Sequence, residues 1–199
     1  MLAELASVVS LAPWQLSPGH RGRARDAGLS DDDLVHAIAL SALFGHLNRI
    51  ADAVAVALDY EVRQLPPHAE PATPPLQPAP APGAGRAAAP GLTIESRPAT
   101  AAALAEWRDY LIAKRPVNLQ IAAWVAALVG ESGPAPDGGE PALRALVEQV
   151  TLAPWRLGEP SFAPLRALGL DDAALFDTCA AASSFGVFSR IRVALAALG

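Results

Sequence analysis

The chain has 199 residues, of which 52% are hydrophobic but only 6% aromatic, and a formal net charge of −5. An apolar fraction built mainly from Ala, Leu and Val favours helix over sheet, so an all-α fold is expected, and the acidic balance argues against nucleic acid or an anionic membrane surface as a partner. The single cysteine, Cys179, rules out an intramolecular disulfide or a C-x-x-C pair and suits a reducing cytoplasm.

No basic segment precedes an apolar run at the start, so no signal peptide is expected. In residues 2–10, Leu2, Leu5, Ala6 and Val9 fall at helical spacing, which predicts a short amphipathic helix ended by Ala12-Pro13. Trp14 and Leu16 lack periodic neighbours and read as plugs filling the corner between helices. Pro18 to Ala27 is a polar turn or short helix whose Arg21, Arg23 and Arg25 form a solvated face. Gly28-Leu29-Ser30 is a stop and restart, with Ser30 as N-cap and Asp33 at N3. Asp31, Asp32 and Asp33 then occupy the first turn of a long helix running to Leu58, where the dipole favours negative charge. That helix is long enough to span a bilayer, but His46, Asn48, Arg49 and Asp52 within it are costly in hydrocarbon, and the membrane reading is rejected.

Residues 64–93 carry proline at a density no regular element tolerates, so residues 63–99 are read as a Pro/Ala-rich linker. Thr100 opens a helix with Leu104, Trp107, Leu111 and Ile112 on one stripe. Arg115-Pro116 breaks it, and a helix over about 117–129, apolar on almost every face, is expected to be buried centrally. Together they make a central hairpin over 100–130. Glu140-Pro141 opens the last unit, 140–199.

That last unit repeats the first, residues 1–62. LAPWQL at 11–16 returns as LAPWRL at 152–157, Trp14 as Trp155 and Arg49 as Arg190, each 141 positions later without a gap. Gly169-Leu170-Asp171 repeats the helix restart with Asp171 as cap. Internal duplication outranks local propensity as a guide to architecture, and one compact domain of two pseudo-symmetric helical halves follows. Along the first long helix, Leu34, Ile38, Ser41, Gly45, Asn48 and Asp52 share a stripe that turns small and polar toward its end. Such a stripe lines a pocket or receives another helix backbone. Gly45 and Gly186 recur at equivalent points inside helices, where glycine costs about 1 kcal/mol against alanine; close helix approach is the simplest reading.

The run GLSDDDLVHAIALSALFGHLNRIADAVAVALD resembles the distal part of alkylhydroperoxidase D-like proteins, in the carboxymuconolactone decarboxylase-like superfamily. The likeness is good over residues 11–59 and weaker over 143–198. It implies an all-α, internally duplicated fold and a homo-oligomer. It also implies a working unit of an acid on a helix, a C-x-x-C pair roughly three turns further on, and a histidine one turn beyond. Laid on the first repeat, those places hold Asp33, then Gly45 and Asn48, then Asp52; on the second they hold Ala174, Gly186, Ser189 and Val193. No thiol stands where the chemistry needs one, and residues 100–130 contain no cysteine, so the thiol peroxidase mechanism is absent.

Three functional readings follow. The first is a non-redox paralogue that binds a small molecule or serves as an oligomeric partner. The second is a cysteine-independent acid/base enzyme working through His46, Asn48, Arg49 and Asp52, with Asp33 as a further acid; imidazole titrates near neutrality. The third is weak antioxidant activity through Cys179 alone, although Cys179 falls at an apolar position of the repeat, matching Ile38. Arg49 and Arg190 suit a structural ion pair or a carbonyl cap, or the lining of an anion pocket. No cofactor and no metal is expected: His20, His36 and His68 show no ligand spacing, and no phosphate-binding glycine loop occurs.

Overall fold

The computed structural model describes residues 1–55 and 92–199. It contains eight α-helices, with no strand among the described residues: α1 Leu2–Leu11, α2 Pro18–Asp26, α3 Asp31–Ala53, α4 Pro98–Lys114, α5 Val117–Leu128, α6 Pro141–Leu152, α7 Glu159–Ala167 and α8 Asp172–Leu198. The expected all-α class is correct. Most of the proline-rich stretch read as a linker lies outside the described residues. Its end does not behave as linker: Leu92 is buried, Ile94–Ser96 form a 3-10 turn, and α4 begins at Pro98, ahead of Thr100. Proline serves there as a first helical residue, its missing N–H being one no helix start can use.

The repeat is carried into three dimensions. The 3-10 turn Pro13–Gln15 and α2 recur 141 positions later as Pro154–Arg156 and α7, and α6 and α8 stand in the places of α1 and α3. Local signals explain why the boundaries agree. Gly28 and Gly169 both take left-handed φ, +84° and +90°, the conformation that ends a helix at least cost in glycine. Ser30 accepts from the Asp33 amide at 3.1 Å while Asp33 accepts from the Ser30 amide at 2.9 Å, a reciprocal capping box. Asp171 accepts from the Ala174 amide at 2.8 Å.

The long helices α3 and α8 pack on one another more extensively than any other pair. Two apolar cores flank them. One gathers α5, α6, α7 and the first half of α8 around Trp124, Ile121, Val147 and Phe185; the other gathers α1, α3 and the last turns of α8 around Val9, Leu16, Ile38 and Leu198. Leu104 and Trp107 of α4 touch both.

The most buried helix is therefore α8, and not the 117–129 helix expected to sit centrally. In α5, Ile121, Trp124 and Val125 face inward, but Leu119 is exposed. The tryptophan plugs also need correction. Leu16 is fully buried, yet Trp14 is only half-buried and Trp155 is exposed. The one-turn 3-10 helix directs Pro13 and Leu16 inward, and the intervening indole outward. Finally, α3 does not run to Leu58 as one helix: it ends at Ala53, with Val54 as cap and Ala55 at φ +49°, and residues 56–58 lie outside the described residues.

Gly139, in the loop before α6, carries a direct prediction. Its φ is +86°, and a Cβ there would stand 2.7 Å from Trp124 Cζ2 and 2.5 Å from Gln120 Nε2. The Trp124 ring is 1% exposed and cannot yield as a surface chain would. Gly139→Ala is expected to cost about 1–2 kcal/mol from the left-handed backbone alone. Gly138→Ala has a similar φ and nothing near the new methyl. The excess of the first over the second, measured by urea unfolding, isolates the clash with Trp124.

Candidate functional site

Arg49 and Arg190 settle how the halves meet. Arg49 donates through Nη1 to the Gly45 carbonyl at 2.7 Å, through Nη2 to Ser10 at 2.8 Å and through Nε to Thr151 at 3.4 Å. Arg190 donates through Nη1 to the Gly186 carbonyl at 3.2 Å, through Nη2 to Thr151 at 2.7 Å and through Nε to Ser10 at 3.0 Å. Each atom of one arginine thus does for its own repeat what the same atom of the other does, and Ser10 and Thr151 are themselves 141 apart. The two sets of bonds correspond atom for atom.

Ser10 and Thr151 lie in the last turns of α1 and α6. Their carbonyls have no partner within the helix and sit at its negative dipole end, so the two guanidinium forks cap both helices together. Both arginines are buried, at 5% and 2% exposure, and no carboxylate among the described residues hydrogen-bonds to either. Burial depresses the Arg49 guanidinium to about 10, against the pull of Asp52, and burial followed by the Arg49 charge pushes Arg190 down as well. The carbonyl-cap reading is right for this pair: among the described residues every acceptor of the two forks is a backbone carbonyl.

The glycine reading changes with it. A Cβ on Gly45 would meet Arg49 Nη1 at 2.8 Å, and one on Gly186 would meet Arg190 Nη1 at 2.5 Å, with no facing helix backbone nearby. Glycine is needed because the arginine one turn later folds back over it. Close helix approach is not the cause.

The other proposed site residues do not converge. His46 is half-buried; its Nδ1 lies 2.8 Å from Ser183 Oγ, which also donates to the His46 carbonyl at 3.1 Å. Its ring meets Trp107 edge-on at 5.3 Å. Burial lowers its pKa, the hydrogen bonding with Ser183 opposes, and Arg49 adds to the lowering. It ties α3 to α4 and α8 as a neutral ring. Asn48 is exposed and Asp33 is occupied in the capping box at the far end of α3, about 28 Å of helix from Asp52. Above Asp52 the stripe does not reach the cleft described below: Leu34, Ile38 and Gly45 are core, and Ser41 donates back to Ala37 at 2.7 Å.

Asp52 alone of these residues borders a cavity. A cleft of about 380 Å³ lies where the end of α3 meets α7 and the first turns of α8. Leu157, Phe162, Leu175, Phe176 and Cys179 supply apolar lining, while Asp52, Glu159, Arg166 and Asp172 stand among its polar groups. Arg166 is already spent, at 2.7 Å from Glu159 Oε1 and at 2.7 Å from Asp172 Oδ1. Desolvation raises the Asp52 carboxyl pKa, with Arg49 opposing. No hydrogen bond among the described residues engages the Asp52 carboxylate.

The duplication explains why the cleft is there. Its counterpart in the first half is closed: α8 continues past Ala194, the equivalent of Ala53, and buries Leu195, Ala197 and Leu198 against α1 and α3. At the corresponding place in the second half, α3 has ended and Val54 is exposed. Sequence reasoning found Asp52 and Cys179 separately but missed Phe162, Arg166 and Phe176, because it expected two long helices of matching length and the early end of α3 appears only in the structure.

No family model, no curated protein and no solved structure matches this chain.

Proposed function

We propose that the protein is a non-redox relative of the alkylhydroperoxidase D-like proteins that binds a small molecule in the cleft between α3, α7 and α8. The observation that carries this reading is an apolar-lined cavity of about 380 Å³ bordered by the Asp52 carboxylate, which no side chain among the described residues hydrogen-bonds. Ligand sites are concave, mostly apolar and oriented by few polar groups. Three carboxylates and one already paired guanidinium around the cleft favour a compact apolar body bearing a cationic or hydrogen-bond-donating end. A carboxylate ligand would meet net negative charge. Descent is supported by the GLSDDDLVHA…NRIADA segment and by the repeat of helices about the paired arginines. An acid/base enzyme on His46, Asn48, Arg49 and Asp52 is less well supported, since the first three side chains are respectively bonded to Ser183, in solvent and committed to carbonyls, and Asp52 alone borders the cleft.

Thermal unfolding with phenethylamine and with phenylpropionate tests the reading, because the two probes share a ring and differ in the sign of their charge. A ligand at a hundred times its dissociation constant stabilises by about 2.7 kcal/mol. The amine is expected to raise Tm by several degrees and the acid to leave it unchanged, and Asp52→Asn should erase the rise. An equal response to both probes, or a response that survives Asp52→Asn, would refute it.

A further inference from the structure

We infer that the cleft between α3, α7 and α8 selects aryl amines: Phe162 and Phe176 receive a planar ring while Asp52 takes the cationic end. This rests on the binding of a small molecule in that cleft and names its chemical class.

The internal duplication separates the frame of the cleft from its lining. Leu157, Leu175, Arg166 and Asp172 stand where the first half has Leu16, Leu34, Arg25 and Asp31, each 141 positions earlier. The ion pair is kept: Arg166 meets Asp172 at 2.7 Å as Arg25 meets Asp31 at 2.8 Å. The frame is common to both halves. The lining is not. Phe162 stands in the place of Arg21, Phe176 in the place of Val35, and Asp52 has Val193 as its counterpart.

Packing within the chain does not account for either phenyl. Arg21 holds Asp31 through two bonds, at 3.1 Å and 2.7 Å, and phenylalanine at the equivalent position gives that pairing up. Val35 is 1% exposed, whereas the larger Phe176 is 45% exposed. Apolar area stabilises only where it is covered, so enlarging this side chain and leaving nearly half of it open does little for the fold. A ligand in the cleft completes the burial.

Phe162 is also braced. The Arg166 guanidinium carbon lies 5.8 Å from the centre of its ring, and the guanidinium is held between Glu159 and Asp172 at 2.7 Å from each. A wall set in place beforehand costs a ligand less ordering. The sign of the ligand's charge follows from the rim, where Asp52, Glu159 and Asp172 outnumber the one arginine. Two phenyl walls then favour a ring over a saturated body of the same size. An offset or edge-to-face aromatic pair adds about three-fold in affinity beyond area burial, so two such pairs add about ten-fold. A cyclohexyl group is at least as apolar as a phenyl, so burial alone would give no preference or the opposite one.

Titration calorimetry of the full chain with phenethylamine and with 2-cyclohexylethylamine tests the class. The wild type is expected to bind the aryl amine about ten-fold more tightly. Phe176→Leu should cut that preference to about three-fold, and Phe176→Tyr, which keeps the ring, should restore it. Both variants should keep the helical circular dichroism, because this side chain is exposed. The readout is a ratio of two affinities within one folded protein, which a change of stability does not move. Equal affinity for the two amines in the wild type, or a preference unmoved by Phe176→Leu, would overturn ring selectivity and leave the small-molecule reading standing. Failure of both amines to bind would overturn the two together.

Discussion

Arg190→Met is expected to cost about 3 kcal/mol, which in a domain of this size lowers Tm by roughly 6–12 °C. Methionine keeps most of the aliphatic volume, so the loss reports the fork. Thr151 is the carbonyl left exposed, since its remaining donor is Arg49 Nε at 3.4 Å. Arg49→Met should be milder, about 1–2 kcal/mol, because Arg190 still reaches Ser10 at 3.0 Å and Thr151 at 2.7 Å. The double variant should be worse than the sum of the singles by about 1–2 kcal/mol, the scale of coupling between neighbours. Two effects fix that sign. Each single variant leaves a backup donor that the double lacks, and each single relieves the repulsion between two buried guanidiniums, a relief obtained only once.

Gly186→Ala completes the test by changing sign. In the wild type the new methyl would lie 2.5 Å from Arg190 Nη1 and must dislodge the fork, for a loss of about 2–3 kcal/mol, comparable to one charge-assisted bond. In an Arg190→Met background nothing else lies near that position, and alanine in place of a mid-helix glycine should then stabilise by roughly 0.5–1 kcal/mol. Chemical unfolding of the four proteins measures this. A glycine kept for helix–helix approach would be harmed in both backgrounds.

Much of this architecture was written in local pattern. The caps at Ser30 and Asp171, the glycine stops and the helical class follow from residues within a few positions of one another, the duplication from two such stretches read side by side 141 positions apart, and the structure has them. The arginines were legible as a pair because they recur. Their cross-coverage of Ser10 and Thr151 was not, because it joins residues 180 and 102 positions apart in sequence. Spacing puts Gly45 and Arg49 on one face, but it does not say that the side chain folds back over its own turn. The cleft was hidden for a different reason: it arises from a difference between the two copies, and reading the repeat draws attention to what they share.

Cys179 in the native protein should react with iodoacetamide at pH 8 about a thousand times more slowly than in the chain unfolded in urea. Burial raises the thiol from 9.0 to about 12, and the residue is 1% exposed in the core beside Leu175 and Ala182. The thiolate is the nucleophile, so the smaller ionised fraction at pH 8 removes about three decades of rate before access is counted. The same shift makes stability depend on pH. The unfolded thiol ionises above about 9 while the folded one holds its proton to about 12, so stability is intact below pH 9 and falls as pH climbs through that interval. Cys179→Ala should lose less stability than the wild type between pH 8 and 10.5, whatever its cost at neutral pH from the space it leaves. Native labelling within ten-fold of the unfolded rate would reopen a redox role at the wall of the cleft. If the thousand-fold gap is found, peroxide consumption by the wild type and by Cys179→Ala should be equal, because a buried thiol that keeps its proton supplies almost no thiolate, the form that attacks a peroxide oxygen.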